Sequence, residues 1–289
     1  MVDESQTIHN KFPIRELSAR TQVNTVTLRA WERRYGLLKP ERTAKGHRLY
    51  SESDVSTIER ILALVARGVP LGKVKPLLHG DMPASLQDDD AENWLGLVAE
   101  LIESIEQFSV SKVERLISES YANYPAPICR ECMIEPVFLA LAIRNSKGAA
   151  YGFAESELIR YVLLRLSAKI SKKKGAVEVI LMVGTQAPIW RLALMALELK
   201  DAKFSVHLIN RAFSVSALID LAAKSKNAYT VFYQDGVWKD KEKEQVTTAL
   251  LENDQLFMCG TAPILSHLDS GERVFSDVKS CITGLLKLQ

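Results

Sequence analysis

Hydrophobic and polar positions in the first 78 residues alternate at the spacing of short helices, with one interruption by a loop. The pattern predicts a helix over residues 13–21 and a second helix over residues 25–35. Asn24 can cap the second helix at its start, and Gly36 can end it in the left-handed conformation. Two short helices joined by a tight turn are typical of a helix-turn-helix unit.

A loop with Pro40 and Gly46 follows, and it is flanked by apolar residues at 37–38 and at 49–50. We expect these two flanks to form the short strands of a wing. The sequence Ser-Glu-Ser-Asp at residues 51–54 matches a capping box and predicts the start of a third helix, which a fourth short helix follows. The N-terminal part, residues 1–78, is therefore expected to be a winged helix-turn-helix domain, all-α apart from the small wing.

The pattern changes twice beyond a polar, acidic segment at residues 79–90, which we interpret as a linker. Residues 91–174 show only helical periodicity and predict a helical bundle in the middle of the chain. Residues 175–289 alternate between apolar, β-branched runs and helical segments, beginning with the continuous apolar run from Val177 to Gly184. Such alternation predicts a C-terminal α/β domain with a doubly wound parallel sheet, so the chain is expected to be multidomain.

Charge is distributed unevenly along the chain. The 289 residues carry a formal net charge of only +2. Through Leu78, however, 14 Lys and Arg residues stand against 8 Asp and Glu residues, whereas the remainder has 23 against 27. A basic head on a mildly acidic body is the asymmetry expected when one end of a protein meets a polyanion.

The rest of the composition excludes several classes of protein. No stretch approaches 18 consecutive apolar residues, which excludes a membrane-spanning helix, and the N-terminus has no apolar signal core. The four cysteines do not imply a disulfide framework, and we expect a cytoplasmic protein. Cys129 and Cys132 form a CxxC, which indicates either a redox pair or two ordinary helix cysteines, while the lack of a second pair argues against zinc.

The predicted second helix and the following loop carry the residue types that a DNA interface requires. Arg29 and Arg33 are four residues apart, so they share one face of the helix. Long basic side chains near hydroxyl groups serve phosphate and base contacts in the major groove, and a basic wing suits the DNA backbone or the minor groove. The candidates for DNA contact are Thr25, Thr27, Arg29, Arg33, Arg34, Tyr35, Arg42, Lys45, His47, Arg48 and Tyr50.

A solvated amphipathic helix with a charged loop is the alternative for the whole segment, and single residues have structural alternatives too. Trp31 is expected to pack the helix against the wing rather than to stack on a base. Tyr35 and Tyr50 are each as consistent with core packing as with a hydrogen bond to phosphate. His47 has no companion ligand nearby, which favours DNA or solvent over a metal. Glu32 is expected to pair with a neighbouring arginine.

Residues 14–78 resemble the N-terminal domain of the MerR family of transcriptional regulators. The motifs that carry the resemblance are TLR at residues 27–29, RAWERRYG at 29–36, GLLKP at 36–40, GHRLY at 46–50 and GVPLGKVKPLL at 68–78. The resemblance implies a homodimer on an inverted repeat in promoter DNA, with Arg29 and Arg48 among the contacts. It leaves a tetramer open and makes RNA polymerase a candidate partner. Two of the motifs look closest to the branch that holds biofilm regulators and cobalamin-dependent light sensors.

A helical bundle followed by a doubly wound domain is also similar to the cobalamin-binding module of that branch. In that module, a histidine in the loop after the first strand binds the metal. The corresponding loop here, residues 184–188, reads Gly-Thr-Gln-Ala-Pro, so Ala187 stands where the ligand is expected. No common side chain substitutes well for imidazole on cobalt, and the loop lacks the GxGxxG spacing of a nucleotide site. We therefore expect the architecture without a cofactor or a metal.

The sequence thus predicts a sequence-specific bacterial transcriptional regulator, with activation of biofilm or extracellular-matrix genes as a weaker inference. The alternative is a sensor gated by cobalamin or another small molecule at the carboxyl edge of the sheet, near residues 184–188. An enzyme is not expected, because no Ser/His/Asp grouping or pair of carboxylates stands out near a predicted strand end.

Overall fold

The computed structural model describes residues 11–78, 91–167, 175–225, 227–268 and 271–288. The chain divides into two compact units, Met1–Ala154 and Glu155–Gln289. This division falls inside a helix, and the boundary near residue 174 stays a prediction. The predicted linker at residues 79–90 lies outside the described residues.

The first unit begins with the helix-turn-helix that the sequence predicted. Its elements are strand β1 (Phe12–Pro13), helix α1 (Ile14–Thr21) and helix α2 (Thr25–Ala30), which runs on as one π-helical turn, Trp31–Tyr35. The Asn24 side chain caps α2 by accepting hydrogen bonds from the backbone N–H groups of Val26 and Thr27, both at 2.9 Å. Gly36 ends the helix with φ = 60°, a left-handed conformation that glycine adopts without steric cost.

The wing is a small antiparallel sheet in which strand β3 (Arg48–Tyr50) lies between β1 and strand β2 (Glu41–Arg42). The expectation of a strand at residues 37–38 is wrong. Both leucines at these positions are buried core residues, and strand pairing begins only where Glu41 faces Leu49. An apolar pair marks burial, but by itself it does not distinguish a strand from a buried loop.

Five further helical segments follow in the first unit. They are α3 (Glu52–Ala66), α4 (Leu71–Leu78), α5 (Ala91–Glu106) and α6 (Val110–Asn123), then α7 (Ala126–Cys129), which continues through a π-helical turn (Arg130–Ile134) into α8 (Glu135–Asn145). The predicted capping box forms at the start of α3, where the Asp54 carboxylate accepts a hydrogen bond from the Ser51 backbone N–H at 2.8 Å. Helix α9 (Ala149–Ser167) begins in the first unit and ends in the second.

The second unit is the predicted doubly wound domain. Its elements are β4 (Glu178–Gly184), α10 (Ile189–Asp201), β5 (Ser205–Phe213), α11 (Val215–Lys224), β6 (Tyr229–Tyr233), α12 (Asp240–Glu252), β7 (Leu256–Cys259), α13 (Thr261–Leu265), a 3₁₀ turn (Gly271–Arg273), β8 (Val274–Phe275) and α14 (Val278–Leu286). All five strands are parallel, in the order β5-β4-β6-β7-β8. The chain reverses its direction of winding between β4 and β6, where such folds usually place a ligand crevice. None of the described helices is both long enough and apolar enough to span a membrane.

Candidate nucleic-acid interface

Helix α2 presents three side chains on one exposed face. Arg29 and Arg33 are exposed, and the Arg33 Nε–H donates to the Arg29 carbonyl at 3.4 Å. Val26, one turn earlier, is 68% exposed although it is apolar. Thr25 is half-buried at the start of the same helix. Two arginines beside an exposed methyl-bearing side chain are suited to base edges and to the thymine methyl group in a major groove.

The wing carries three exposed basic side chains, Arg42 in β2 and Lys45 and His47 in the hairpin loop. Arg42 donates to the Glu32 carboxylate at 3.5 Å. Arg48 is less exposed, with 25% of its side chain accessible, and its Nε donates to the same carboxylate at 2.6 Å. This hydrogen bond raises the pKa of Arg48. Glu32 thus pairs with an arginine, as expected, and it ties the wing to helix α2.

Two of the candidate residues are inside the domain. Thr27 and Tyr50 are each 1% exposed, so neither side chain is part of the surface of the free chain. The Tyr50 hydroxyl has no hydrogen-bond partner among the described residues, and burial raises the pKa of this tyrosine. The proposed interface therefore omits both residues, which a one-dimensional pattern could not separate from their exposed neighbours.

The last turn of α2 faces the bundle. Asn123, the final residue of α6, accepts on its Oδ1 from the Arg34 guanidinium at 3.1 Å and from the Tyr35 hydroxyl at 3.3 Å. The indole N–H of Trp31 donates to the Asn123 backbone carbonyl at 2.9 Å. Trp31 is fully buried, in agreement with a packing role, but its polar contact is with α6, which the sequence did not indicate.

One basic residue near α2 was not among the candidates predicted from the sequence. Lys75 on α4 is exposed, and its ammonium lies beside Gly36, where a Cβ atom would be 3.2 Å from it. Lys75 follows Gly36 by 39 positions, so no pattern in the neighbouring sequence predicts that the two residues are close. It adds a cation next to the end of α2.

The carboxyl edge of the sheet in the second unit is filled by the chain's own side chains. The Gln234 side chain, after β6, packs so closely over Gly184, at the end of β4, that no Cβ fits there. Gln234 is 5% exposed and its Oε1 has no hydrogen-bond partner among the described residues. In the same way, Gln186 of the β4–α10 loop occupies the space where Gly236 would carry a Cβ.

Hydrogen bonds join the remaining loops at this edge. The Asp235 carboxylate accepts from the Tyr233 hydroxyl at 3.2 Å and from the Thr261 backbone N–H at 3.1 Å. Burial raises the pKa of Tyr233, so its hydroxyl stays a donor at neutral pH. The loops after β6 and β7 are thereby held together over the carboxyl end of the sheet.

A carboxylate of the chain also occupies the start of α10. The Glu155 Oε1 accepts a hydrogen bond from the Trp190 backbone N–H at 3.3 Å. Burial raises the pKa of Glu155, while the N–H groups of Trp190 and Ile189 act in the opposite direction. An anionic ligand would otherwise find free N–H donors at such a helix start.

The residues of this edge do not fit a cobalamin. The β4–α10 loop has Ala187 where an imidazole would be required, and Gln234 fills the adjoining space. His207 and His267 are exposed, the first within β5 and the second after α13. A different small ligand at this edge stays a prediction.

The two cysteines of the CxxC contact different parts of the chain. Cys129 is buried with its Sγ 3.8 Å from the Tyr124 carbonyl, and the Cys132 Sγ is 3.8 Å from the Ala66 carbonyl. Burial, followed by the charge of Glu131, raises the pKa of the Cys132 thiol. A raised pKa lowers the thiolate fraction and disfavours redox reactivity, so ordinary helix cysteines are the better interpretation.

Comparison with known proteins identifies the N-terminal domain. Residues 12–81 match the model of the MerR HTH family regulatory protein. The chain is 32% identical over 165 residues to the HTH-type transcriptional regulator MlrA of Salmonella typhimurium, which is 57% of this chain and 65% of that protein. It is 41% identical over 56 residues, 19% of each chain, to the HTH-type transcriptional repressor CarH of Myxococcus xanthus. The alignment with MlrA is longer than the helix-turn-helix domain, but it spans less than two thirds of that relative.

Among solved structures, the monomethylamine corrinoid protein of Methanosarcina barkeri is similar to the chain with a TM-score of 0.44 and 13% identity. The match covers 68% of this chain and 99% of that protein.

Proposed function

We propose that the chain, whose residues 12–81 match the MerR HTH family and which is similar to MlrA, binds promoter DNA as a homodimer and regulates transcription. The observation that carries the proposal is the exposed face of α2, with Arg29 and Arg33 one turn apart, next to a wing with a basic tip. Long cations on the exposed face of such a helix are the usual means of reading a major groove.

The wing gives the interface its second part. Its exposed basic side chains are Arg42 at the end of β2 and Lys45 and His47 in the hairpin loop, and they suit the phosphate backbone or an adjacent minor groove. Glu32 fixes the wing against α2 through Arg48. Helix and wing therefore approach the duplex as one unit, with base contacts assigned to α2 and phosphate contacts to the wing.

The finer parts of the proposal come from the resemblance to the MlrA branch. We extend it to an inverted repeat as the target, because a two-fold dimer presents two α2 helices to two half-sites, about 34 Å or one helical turn apart. We also extend it to activation of biofilm or extracellular-matrix genes, with RNA polymerase as a candidate partner and the bundle or the sheet domain as the site of assembly.

A gel-shift assay with three variants tests the interface. The duplex most enriched by the wild-type chain from a randomised pool serves as the probe. Arg29→Ala is expected to weaken binding about tenfold, since a direct base contact contributes about 1–3 kcal/mol. Arg48→Ala is expected to weaken it as well, because the wing loses both a cation and its tie to Glu32.

Arg115→Ala is the matched control, since it removes an exposed arginine from α6 that pairs with Glu100 and Glu119. This variant is expected to bind the probe like the wild type. Binding of Arg29→Ala and Arg48→Ala that equals binding of the control would show that the proposed surface does not contact DNA.

A further inference from the structure

We infer that Asn123 is a positioning residue for the DNA interface and that Arg34 and Tyr35 serve this coupling rather than DNA contact. Asn123 ends α6 of the bundle and holds the last turn of α2. The inference rests on the proposed function, because it concerns how the bundle sets the orientation of the helix that meets DNA. The bundle would then control the orientation of Arg29 and Arg33, because both belong to the helix that Asn123 holds.

Three hydrogen bonds converge on this one residue. Arg34 and Tyr35 donate to the Asn123 Oδ1 at 3.1 and 3.3 Å, and Trp31 donates to its backbone carbonyl at 2.9 Å. The Asn123 Nδ2 donates to the Glu119 carbonyl at 2.9 Å, one turn earlier in α6. That fourth bond fixes the amide, so that its oxygen points to α2.

The contact satisfies groups that would otherwise lack partners. The last carbonyls of a helix receive no hydrogen bond from an N–H group of the same helix, and Asn123 is the final residue of α6. A buried indole N–H likewise requires an acceptor. Trp31 is fully buried and its bond to the half-buried Asn123 is partly shielded from water. The contact is therefore a fixed point and not a transient surface pair.

The position of Trp31 within α2 makes this fixed point relevant to DNA. In the sequence, Trp31 lies midway between Arg29 and Arg33, which are exposed and have no hydrogen bond to the bundle among the described contacts. Because the three residues belong to one helix, a shift at the end of α6 that moves the indole moves both guanidinium groups with it. Packed side chains transmit such shifts because cores are dense and resist compression.

Arg34 is directed differently from Arg33. Consecutive residues on a helix are about 100° apart around its axis, and Arg34 bonds to Asn123 while Arg33 reaches only the Arg29 carbonyl. The cation of Arg34 thus lies on the bundle side of α2. Both arginines are exposed, but only Arg34 has its guanidinium engaged by the bundle, a difference that a sequence pattern of adjacent arginines does not show.

A second contact holds the bundle to the same domain away from α2. The indole N–H of Trp94 on α5 donates to the Val65 carbonyl near the end of α3 at 2.8 Å. Trp94 is 7% exposed. Two anchors on different helices define an orientation, whereas a single one would allow rotation. Removal of the Asn123 side chain is therefore expected to loosen α2 without releasing the bundle.

Asn123→Ala in the full chain, with Asn145→Ala as the matched control, tests the inference before any DNA is added. Asn145 is an exposed asparagine at the end of α8, and its Oδ1 accepts a local hydrogen bond from the Lys147 N–H at 3.1 Å. Hydrogen exchange of residues 28–38 is expected to accelerate about tenfold in Asn123→Ala and to stay unchanged in Asn145→Ala. Equal exchange in the two variants would overturn the inference, whatever the chain binds.

DNA binding is then measured against salt concentration with the enriched duplex. Asn123→Ala and Arg34→Ala are each expected to weaken binding about fivefold, and the double variant about as much as either alone. Neither is expected to change the slope of log K against log salt concentration, because neither residue touches phosphate. Loss of a phosphate contact lowers that slope by about 0.9.

The outcomes separate the two proposals. A lower slope in Arg34→Ala, or tighter binding by Asn123→Ala, would make Arg34 a phosphate contact and overturn the coupling role. If the wild-type chain enriches no duplex, the proposed function fails, while the exchange experiment still decides whether Asn123 holds α2.

Discussion

Side chains between residues 28 and 50 divide by burial rather than by residue type. Arg29 and Arg34 are both exposed, but Arg34 bonds to Asn123 of the bundle, while the half-buried Arg48 bonds to Glu32. Trp31 and Tyr50 are both in the core. The sequence places all of them in a segment that is typical of DNA binding. It does not show which are exposed, since the partner of Trp31 and Arg34 lies about 90 positions later in the chain.

Tyr50→Phe tests the assignment of Tyr50 to the core. Its buried hydroxyl has no partner in the described structure, and an unpaired buried polar group costs about 1–3 kcal/mol. The substitution is therefore expected to raise the free energy of unfolding by about 1 kcal/mol in urea denaturation and to leave the DNA affinity unchanged.

Tyr35→Phe is the matched comparison, because the Tyr35 hydroxyl donates to Asn123. This variant is expected to lose stability by about 0.5–1 kcal/mol. If Tyr50→Phe weakened DNA binding without any gain in stability, the Tyr50 hydroxyl would be a phosphate contact after all.

At the scale of elements, features governed by local chemistry follow the sequence closely. The Asn24 cap, the capping box at Ser51 and Asp54, and the alternation of strands and helices after residue 175 appear where predicted. Features governed by distant partners do not. The wing strand pairs at residues 41–42 instead of 37–38, and β8 escaped prediction because its two residues are strand only through pairing with β7.

Helix α14 provides a pH-dependent test of one such local feature. Asp277 caps the helix by accepting from the Ser280 N–H at 2.9 Å. Burial alone would raise the pKa of Asp277, but this N–H and the hydroxyls of Ser276 and Ser280 hold the pKa below its ordinary value. Since the folded pKa is depressed, the ionised group stabilises the fold above the unfolded pKa, and this contribution disappears as the pH falls through the folded pKa.

Asp277→Ala is expected to lower the free energy of unfolding by about 1 kcal/mol at neutral pH. Asp277→Asn keeps a capping oxygen without the charge and is expected to lose less. Urea denaturation between about pH 5 and pH 3 should show the gap between wild type and Asp277→Asn closing as the pH is lowered. A gap that widens in acid would mean that the carboxylate is not stabilised in the folded state.

At the scale of the whole molecule, the two compact units differ in charge and in architecture. The basic excess lies in the first 78 residues, which contain the proposed interface. The bundle of the first unit bonds directly to the recognition helix through Asn123. The second unit has a doubly wound parallel sheet whose carboxyl edge is filled by Gln186 and Gln234. The filled edge supports the proposal that this unit serves assembly.

Parallel selection of duplexes from a randomised DNA pool tests the central claim, that α2 reads promoter DNA, most directly. The wild-type chain and Arg115→Ala are expected to enrich the same inverted repeat. Arg29→Ala is expected to enrich a motif that is relaxed at one symmetric pair of positions, where the arginine reads a base in each half-site. Enrichment of no motif by the wild type, or of an identical motif by Arg29→Ala, would contradict the claim.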